Sequence, residues 1–177
     1  NFTPQVSLRY SRESDYTSLG VGLTGSYAFN QTATTVSAFA RFNTDEIGQR
    51  AQPDFEDSLV TGFVGASITQ ILRRDLIGGL NVSAQFLRGY QENPYRIEQH
   101  PRHRNRYSAG GWLRYRLEET NTTINGSYCS YGGTWKVSAH TFDFRVTQDL
   151  TDWIWIAPRF RWHTQSSVFF IQNVDIP

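Results

Sequence analysis

The sequence predicts an all-β protein, an antiparallel up-and-down transmembrane β-barrel, from three observations. Apolar and polar residues alternate along successive segments, which is the side-chain period of a β-strand. The connections between these segments alternate between tight turns and longer polar stretches, as in a meandering membrane barrel. Aromatic residues make up 15% of the 177 residues, yet the mean hydropathy is only −0.49. That combination is typical of spanning strands that have one polar face.

Composition excludes several classes of function. The formal net charge is +1, so no strong global field attracts nucleic acid or another polyion. The single cysteine, Cys129, excludes an intrachain disulfide and a multi-cysteine metal site. No phosphate-binding loop, nucleotide fingerprint or basic aromatic patch is present. We therefore expect no cofactor, no metal, no nucleic-acid partner and no enzymatic activity.

Nine segments carry the alternation, most of them about nine to eleven residues long, which is the length of a tilted spanning strand. They lie at residues 2–10, 19–29, 34–42, 59–71, 80–86, 107–117, 122–131, 142–146 and 152–166. Residues 168–175 are a candidate start of a tenth strand. The prediction is a meander of about nine to ten strands in one domain over residues 1–177, forming part of a larger barrel.

The predicted connections fall into two alternating classes. Tight turns lie at residues 29–32, 72–75, 118–121 and 149–152. Longer connections lie at residues 11–15, 43–57, 91–105 and 132–136. In an outer-membrane barrel the short turns are periplasmic and the longer loops face outwards, which gives the predicted meander an orientation.

The main alternative to a membrane barrel is a soluble sandwich or lipocalin-like barrel, whose strands also alternate. Two features favour lipid. The polar faces are crowded with small hydroxyl and amide residues, and nearly all mid-strand charges share the polar face. The charged residues predicted to line the lumen are Arg9, Arg41, Arg114, Arg116, Asp143, Arg145, Arg159 and Arg161. They either form a cationic wall that attracts anions or form structural ladders that fill a narrow lumen.

A third feature is the position of the aromatic residues, which gather near the strand ends. Amphipathic rings concentrate at both membrane interfaces, so these residues predict an aromatic girdle. Its predicted members are Tyr10, Tyr27, Phe29, Phe42, Tyr115, Tyr128, Trp153, Trp155 and Trp162.

Four stretches of the sequence resemble a known family. They read "GASITQILRRDLIGGLNVSAQFLRGYQENPY", "RNRYSAGGWLRYRL", "INGSYCSYGGTWKVSAHTFDFRVTQDL" and "WIAPRFRWHTQSSVFF". With the earlier "ESDYTSLGVGLTGSYAFNQTATTVSAFARFNTDEIG" they resemble DUF3570, a family of uncharacterised Gram-negative outer-membrane proteins, over nearly the whole chain. Trp135 lies in the matching loop, but Gly132 and Gly133 replace an acidic pair that is usual there, and Ala139 replaces a serine.

The resemblance implies a location more clearly than an activity. It implies the bacterial outer membrane, with membrane lipid and lipopolysaccharide as surroundings. Members of the family are longer, which implies further strands before Asn1 and after Pro177. Other protein subunits that close or fill the barrel are a second class of expected partner. The matching motifs are loop and turn signatures, with no catalytic pattern among them.

Two residue clusters invite chemistry but do not support it. Ser138, His140 and Asp143 are close in sequence, yet on a strand His140 and Asp143 point to opposite faces, which excludes one catalytic constellation. His100 and His103 near Glu98 lie in an arginine-rich loop whose charge disfavours a divalent cation. The arginines of that loop predict a weaker anion site for lipopolysaccharide phosphates, with Arg102, Arg104 and Arg106 as its ligands.

The segment at residues 152–166 combines the most information. Ile154, Ile156 and Phe160 share one face, while Arg159 and Arg161 share the other. Pro158 has no N–H, so we expect a bulge, local strain or a shortened neighbouring strand there.

Two functions remain open: a passive, porin-like pore that favours anions, and a non-catalytic barrel scaffold. The scaffold would house or dock a lipoprotein, a cytochrome or an export component.

Overall fold

In the computed structural model, which describes residues 1–50, 52, 54–92 and 100–169, the chain is a single antiparallel sheet without helices. Each strand lies beside the next strand of the chain, so the topology is an up-and-down meander. β9 pairs with β8 and continues into the edge strand β10. The strands are β1 (Phe2–Arg12), β2 (Tyr16–Phe29), β3 (Thr34–Gly48), β4 (Glu56–Arg73), β5 (Leu76–Gly89), β6 (His103–Leu117), β7 (Thr122–Gly133), β8 (Ser138–Asp149), β9 (Trp155–Ile156) and β10 (Arg159–Gln165).

The predicted all-β meander is confirmed, and each of the nine predicted segments contains a strand. Most strands are longer than predicted, reaching 18 residues in β4. Of the predicted tenth strand, residues 168 and 169 are not in a strand, and the rest lies outside the described residues. The fold class was therefore predictable from side-chain alternation, whereas strand length was not.

The longer connections are shorter than predicted. They occupy residues 13–15, 49–55, 90–102 and 134–137, because the strands continue at this end of the sheet. Residues 43–46 were expected in a loop but extend β3, where they pair with residues 17–20. Their side chains are polar on both faces, so alternation disappears although the backbone ladder continues. Ladder hydrogen bonds use main-chain groups and need no apolar face.

The short connections overlap their predicted positions, at residues 30–33, 74–75 and 118–121, whereas the last, predicted at 149–152, occupies residues 150–154. The turn between β2 and β3 holds Asn30, Gln31 and Thr32 with φ of 52°, 54° and 69°. Three successive non-glycine residues in the left-handed region are costly, at about 1–2 kcal/mol each. Ala33 N–H closes the turn by donating to the Asn30 carbonyl at 3.0 Å. The sharp reversal of the chain at this turn is therefore accompanied by backbone strain.

The register sorts the side chains onto two faces, because directly paired residues lie on the same side of a sheet. One row runs Tyr27, Val36, Ile68, Leu80 across β2 to β5, and we call this side the apolar face. The next row runs Ser26, Ser37, Ser67, Asn81, and we call that side the polar face. The sorting agrees with the predicted alternation.

The described residues contain almost no hydrophobic core. Its buried apolar members are Leu87, Trp135, Val137 and Ala139. The large side chains of the apolar face are instead exposed, as with Leu8 at 81% and Leu23 at 55%. A single sheet has nothing in this part of the chain to pack its apolar face against.

Pro158 interrupts the last strand without changing its register. Strand geometry stops at Ile156 and resumes at Arg159. The register with β8 is nevertheless the same before and after Pro158, as the pairs Gln148–Ile156 and Arg145–Arg159 show. Of the three expected alternatives, the bulge is wrong, since a bulge would shift the register; strand geometry is instead lost locally at Ala157 and Pro158. Val146 N–H still donates to the Pro158 carbonyl at 3.1 Å. The return bond is missing because proline has no N–H to donate.

Candidate functional site

Five arginines gather on the polar face of β6, β8 and β10. Arg114, Asn125, Arg145 and Arg159 form one row across four neighbouring strands. Arg161 lies in the adjacent row, opposite Asp143. We call Arg114, Arg116, Arg145, Arg159 and Arg161 the arginine wall. The sheet thus brings together six of the eight charged residues predicted for the lumen, counting Asp143.

Arg9 and Arg41 lie on the same polar face but on β1 and β3. Arg9 pairs with Gly20 and Arg41 with Gly22, near the β1 edge of the sheet, whereas the arginine wall lies towards the β10 edge. The Arg41 guanidinium lies 5.4 Å from the centre of the Phe39 ring. These two residues share the face of the wall but are not part of it.

The two carboxylates near the wall are each engaged with one arginine. Asp143 accepts two hydrogen bonds from Arg159 Nε, at 3.0 and 2.8 Å. Asp149 lies 3.5 Å from Arg116, which also donates to Thr123. With both carboxylates engaged, five arginines and two aspartates leave a formal local charge of +3.

The remaining arginines of the wall have weaker neighbours. Arg114 Nε donates to Asn125 Oδ1 at 2.8 Å, a neutral partner. Neither the Arg145 nor the Arg161 side chain has a hydrogen bond or ion pair with any residue that the structure describes. Arg145 and Arg159 are directly opposite each other, an arrangement of like charges that destabilises a sheet.

A polar cavity of about 610 Å³ opens beside the wall. Short polar side chains of β7 and β8, guanidinium groups and one carboxylate line it. The lining residues are Arg114, Arg116, Thr123, Asn125, Asp143, Arg145 and Thr147. On the next row Trp112 stands over Gly79, where an added Cβ would come within 2.7 Å of the indole nitrogen.

Seven of the nine predicted girdle residues lie on the apolar face, as the register shows for Tyr10, Tyr27, Phe29, Phe42, Tyr115, Tyr128 and Trp162. Trp155 instead pairs with Asp149, on the polar side, and Trp153 lies in the preceding bend. Both are largely exposed, at 65% and 80%. Tyr128 donates or accepts a 2.7 Å hydrogen bond with His140 Nδ1 across the strands.

The exposed apolar side chains form a belt that runs obliquely across the sheet. On β2 the belt is centred near Leu23, between Leu19 and Phe29, and on the last strand near Phe160. When directly paired residues are followed from Phe160 across the sheet, the row ends at Phe29 on β2 and not at Leu23, where the belt is centred on that strand. The belt therefore shifts by six residues, from Phe29 to Leu23, over seven strand-to-strand steps. With about 3.3 Å per residue and 4.8 Å between strands, its slope is about 30°.

The connection between β7 and β8 carries the most buried aromatic side chain of the described residues. Trp135 is 5% exposed and donates from Nε1 to the His103 carbonyl at 3.1 Å. The Arg104 guanidinium stacks on its ring at 3.9 Å. Trp135, Val137, Ala139 and Leu87 together form a small core at this end of the sheet.

The three loop arginines predicted as an anion site have separate partners. Arg102 forms an ion pair with Asp57, whereas Arg104 stacks on Trp135. Arg106 donates to Gln85 at 3.2 Å, and burial together with nearby Arg104 lowers its pKa. Arg104 and Arg106 share the polar face, through their pairing with Leu87 and Gln85. A lipopolysaccharide site at these residues remains a prediction.

Sequence reasoning missed a buried acidic residue at the longer-connection end of β3. Asp45 is 7% exposed and accepts a 2.5 Å hydrogen bond from the Ser18 hydroxyl. Burial raises the pKa of the neighbouring Tyr16 hydroxyl, and Asp45 adds to that effect. Asp45 was missed because residues 43–46 are all polar, so that no alternation marks this part of the strand. Counting alternate positions onward from Arg41 to Asn43 and Asp45 would have found it.

The clusters that invited enzymatic or metal chemistry are dispersed. His140 pairs with Ser130 on the apolar face, whereas Asp143 lies on the polar face and binds Arg159. The structure describes no group of three or more His, Cys, Asp or Glu residues suited to a metal ion. Glu98 lies outside the described residues. Within the described ranges no helix has the length and apolar character needed to cross a bilayer.

Comparison with known proteins gives one match. A family model described as "Protein of unknown function (DUF3570)" matches residues 49–176. The match covers β4 to β10, which includes the arginine wall and the Trp135 connection. No curated protein and no solved structure matches the chain.

Proposed function

Because the chain belongs to the DUF3570 family of proteins of unknown function, we propose its role from the geometry: it forms part of a β-barrel wall in the bacterial outer membrane, and that barrel is a pore favouring small anions. Membrane location, pore and anion preference are three steps, and a different feature supports each. The observation that carries the proposal is the oblique apolar belt.

The belt supports a membrane location because a flat lipid layer cuts tilted strands obliquely. Strands of membrane barrels tilt by about 35–45°, close to the slope of about 30° derived from strand spacing. On β2 the belt from Leu19 to Phe29 extends about 29 Å measured across the slope at 3.3 Å per residue. The apolar band of such barrels is about 25 Å tall. A soluble sheet has no reason to expose a band of this height and slope.

The open edges of the sheet support closure by further strands. Among the described strands, β1 and β10 each have one neighbour. Unpaired N–H and C=O groups are not tolerated in the hydrocarbon layer. We therefore assign the outer edges of β1 and β10 to pairing with strands beyond the described sheet, from the same protein or from another subunit.

The arginine wall supports anion preference. If the apolar face meets lipid, the polar face lines the interior, and the wall gives that interior a local charge of +3. Cationic linings raise the local concentration of anions. The Asp143–Arg159 and Arg116–Asp149 contacts are ladder-like, which suits a filled lumen as well. Arg145 and Arg161 do not enter such ladders, and this favours a lining that is accessible to solutes.

Conductance of the full-length protein in planar bilayers tests the pore. We expect steady currents whose reversal potential in a salt gradient shows anion preference, because the wall is positive. Replacing Arg114, Arg145 and Arg159 by glutamine together should move the reversal potential towards zero. Arg74→Gln is the matched control, since Arg74 carries the same charge but lies in the tight turn after β4.

Two outcomes would contradict the proposal at different steps. A correctly folded, inserted barrel that carries no current would remove the pore and leave the scaffold function, with a partner or side chains filling the lumen. Recovery of the protein in the soluble fraction, away from the outer membrane, would remove the location as well.

A further inference from the structure

We propose that the arginine wall contains a discrete binding site for a small oxyanion with at least two negative charges, of the phosphate or pyrophosphate class. The site lies over Asn125, between Arg114 and Arg145. The proposal deepens the proposed pore, and rests on it only for the statement that the polar face lines the interior. In a conducting barrel, such anions would pass by saturable binding, whereas chloride would pass by simple diffusion.

The register supplies the geometry of the site. Arg114 and Arg145 flank Asn125 in one row, each one strand away from it. Neighbouring strands are about 4.8 Å apart, so the two Cα atoms are about 10 Å apart. A long side chain from each side can therefore reach one small ligand above the shorter asparagine. Thr123 and Thr147, a directly opposed pair in the next row, add two hydroxyl groups.

Asn125 is already oriented for an anion. Its Oδ1 accepts the hydrogen bond from Arg114 Nε, so its amide N–H groups are left to donate towards the cavity. The same bond fixes the Arg114 guanidinium beside Asn125 in the lining of the cavity. Because this contact uses Nε, the two terminal nitrogens of Arg114 remain for a ligand.

The site has an unbalanced positive charge. Asp143 is engaged by Arg159 and Asp149 by Arg116. Arg145 faces Arg159 directly and has no ion pair among the described residues. Opposed like charges cost stability, and an anion bound to Arg145 over Asn125 would lower that cost. Binding to the folded state alone also stabilises it.

The type of side chain selects the ligand. Guanidinium groups form forked, paired hydrogen bonds with phosphate and carboxylate oxygens, which a spherical halide cannot accept in the same way. A local charge of +3 is balanced better by a dianion than by a monovalent ion. The cavity of about 610 Å³ is open and admits a ligand larger than a single phosphate.

Calorimetric titration of the full-length protein in detergent with pyrophosphate tests the site. We expect saturable binding at one site per chain, with chloride at equal ionic strength giving none. Arg145→Gln and Arg114→Gln should each weaken binding about tenfold or more, as the loss of a charge-assisted paired contact implies. Arg145→Lys should recover only part of it, because an ammonium cannot form the fork.

Arg9→Gln is the matched control, since Arg9 lies on the same polar face but on β1, outside the cavity. A discrete site predicts unchanged affinity in this variant. An equal loss in Arg9→Gln and Arg145→Gln would mean a diffuse positive field and would overturn the proposal. So would the absence of binding by the wild-type protein.

The same titration separates this inference from the pore. Pyrophosphate binding by a barrel that is silent in bilayers would retain the site and remove the pore. Anion-selective conductance without pyrophosphate binding, and without a block of the current by millimolar pyrophosphate, would retain the pore and remove the site.

Discussion

Trp135 is the side chain with the clearest structural role in the described chain. It is buried, at 5% exposed, whereas many of the large apolar side chains that the structure describes are exposed. It donates a hydrogen bond to the His103 carbonyl, and Arg104 covers its ring. Trp135 therefore ties the connection after β7 to the start of β6, at the end of the sheet opposite the tight turns.

Replacing Trp135 by phenylalanine should lower the free energy of unfolding by about 1–3 kcal/mol. The change removes the indole donor, worth about 1 kcal/mol, and takes from the partly buried His103 carbonyl the hydrogen bond that it accepts. Trp153→Phe is the control, because Trp153 is 80% exposed and should change stability by less than about 0.5 kcal/mol. Urea unfolding in lipid vesicles measures both variants. Equal effects would mean that Trp135 is not a structural anchor.

At the scale of single residues, the sequence predicts the face of the sheet on which a side chain lies better than it predicts the neighbours of that side chain on other strands. The positions of Arg114, Arg145 and Arg159 on one face follow from counting alternate residues. Their row does not, because it depends on how β6, β7 and β8 slide against one another. The diagonal pairing of Arg159 with Asp143, which leaves Arg161 without a carboxylate, could be seen only once that register was known.

At the scale of a strand, Pro158 shows how one residue weakens a ladder without shifting it. β9 and β10 keep a common register with β8, but the bond that residue 158 would donate to Val146 is missing. The two residues without strand geometry, Ala157 and Pro158, lie where the belt passes. We expect β9 to fray more readily than β10.

Pro158→Ala should make the segment from Trp155 to Gln165 one continuous strand. Alanine supplies the N–H that the Val146 carbonyl can accept, and the register is already correct, so no neighbouring residue has to move. Hydrogen–deuterium exchange measures the effect, as stronger protection of residues 155–158. Protection at Gly126 on the far side of β8 is the internal control and should not change. Unaltered exchange at residues 155–158 would mean that the break has another cause.

The ends of β3 mark the limit of pattern-based prediction for an element. Val36 to Phe42 alternate and were predicted as a strand, whereas Asn43 to Gly48 do not and were assigned to a loop. The backbone from Val36 to Ile47 nevertheless pairs with both β2 and β4. Side-chain alternation is visible only where one face of the strand is apolar, which is within the belt. Residues 43–46 lie outside the belt and are polar on both faces, so alternation does not reveal them.

At the scale of the whole molecule, the belt and the arginine wall occupy opposite faces of one thin sheet. A sheet one layer thick cannot bury either face by itself, and the described residues contain no second layer. The apolar face therefore requires an apolar surrounding, and the polar face requires water or a polar filling. These two requirements together support the proposed barrel wall.

Leu23→Arg should destabilise the membrane-inserted protein by about 2–4 kcal/mol, the cost of arginine at the lipid-facing midplane of a barrel. Leu23 lies at the centre of the belt on β2 and is 55% exposed. Thr24→Arg, one residue further on the polar face, should cost much less. Folding in lipid vesicles, followed by urea titration, compares them. A cost below about 0.5 kcal/mol at Leu23 would be the result for an exposed site on a soluble protein.

The sequence by itself determined the class of fold, the two faces and the approximate positions of the short turns. Those features depend on local properties, namely the two-residue period of a strand and the residues that reverse a chain. The register, the slope of the belt and the convergence of Arg114 and Arg145 on Asn125 were decided only by the tertiary structure. They depend on how far each strand slides along its neighbour, and side-chain alternation leaves that displacement undetermined because every shift by two residues preserves the same faces.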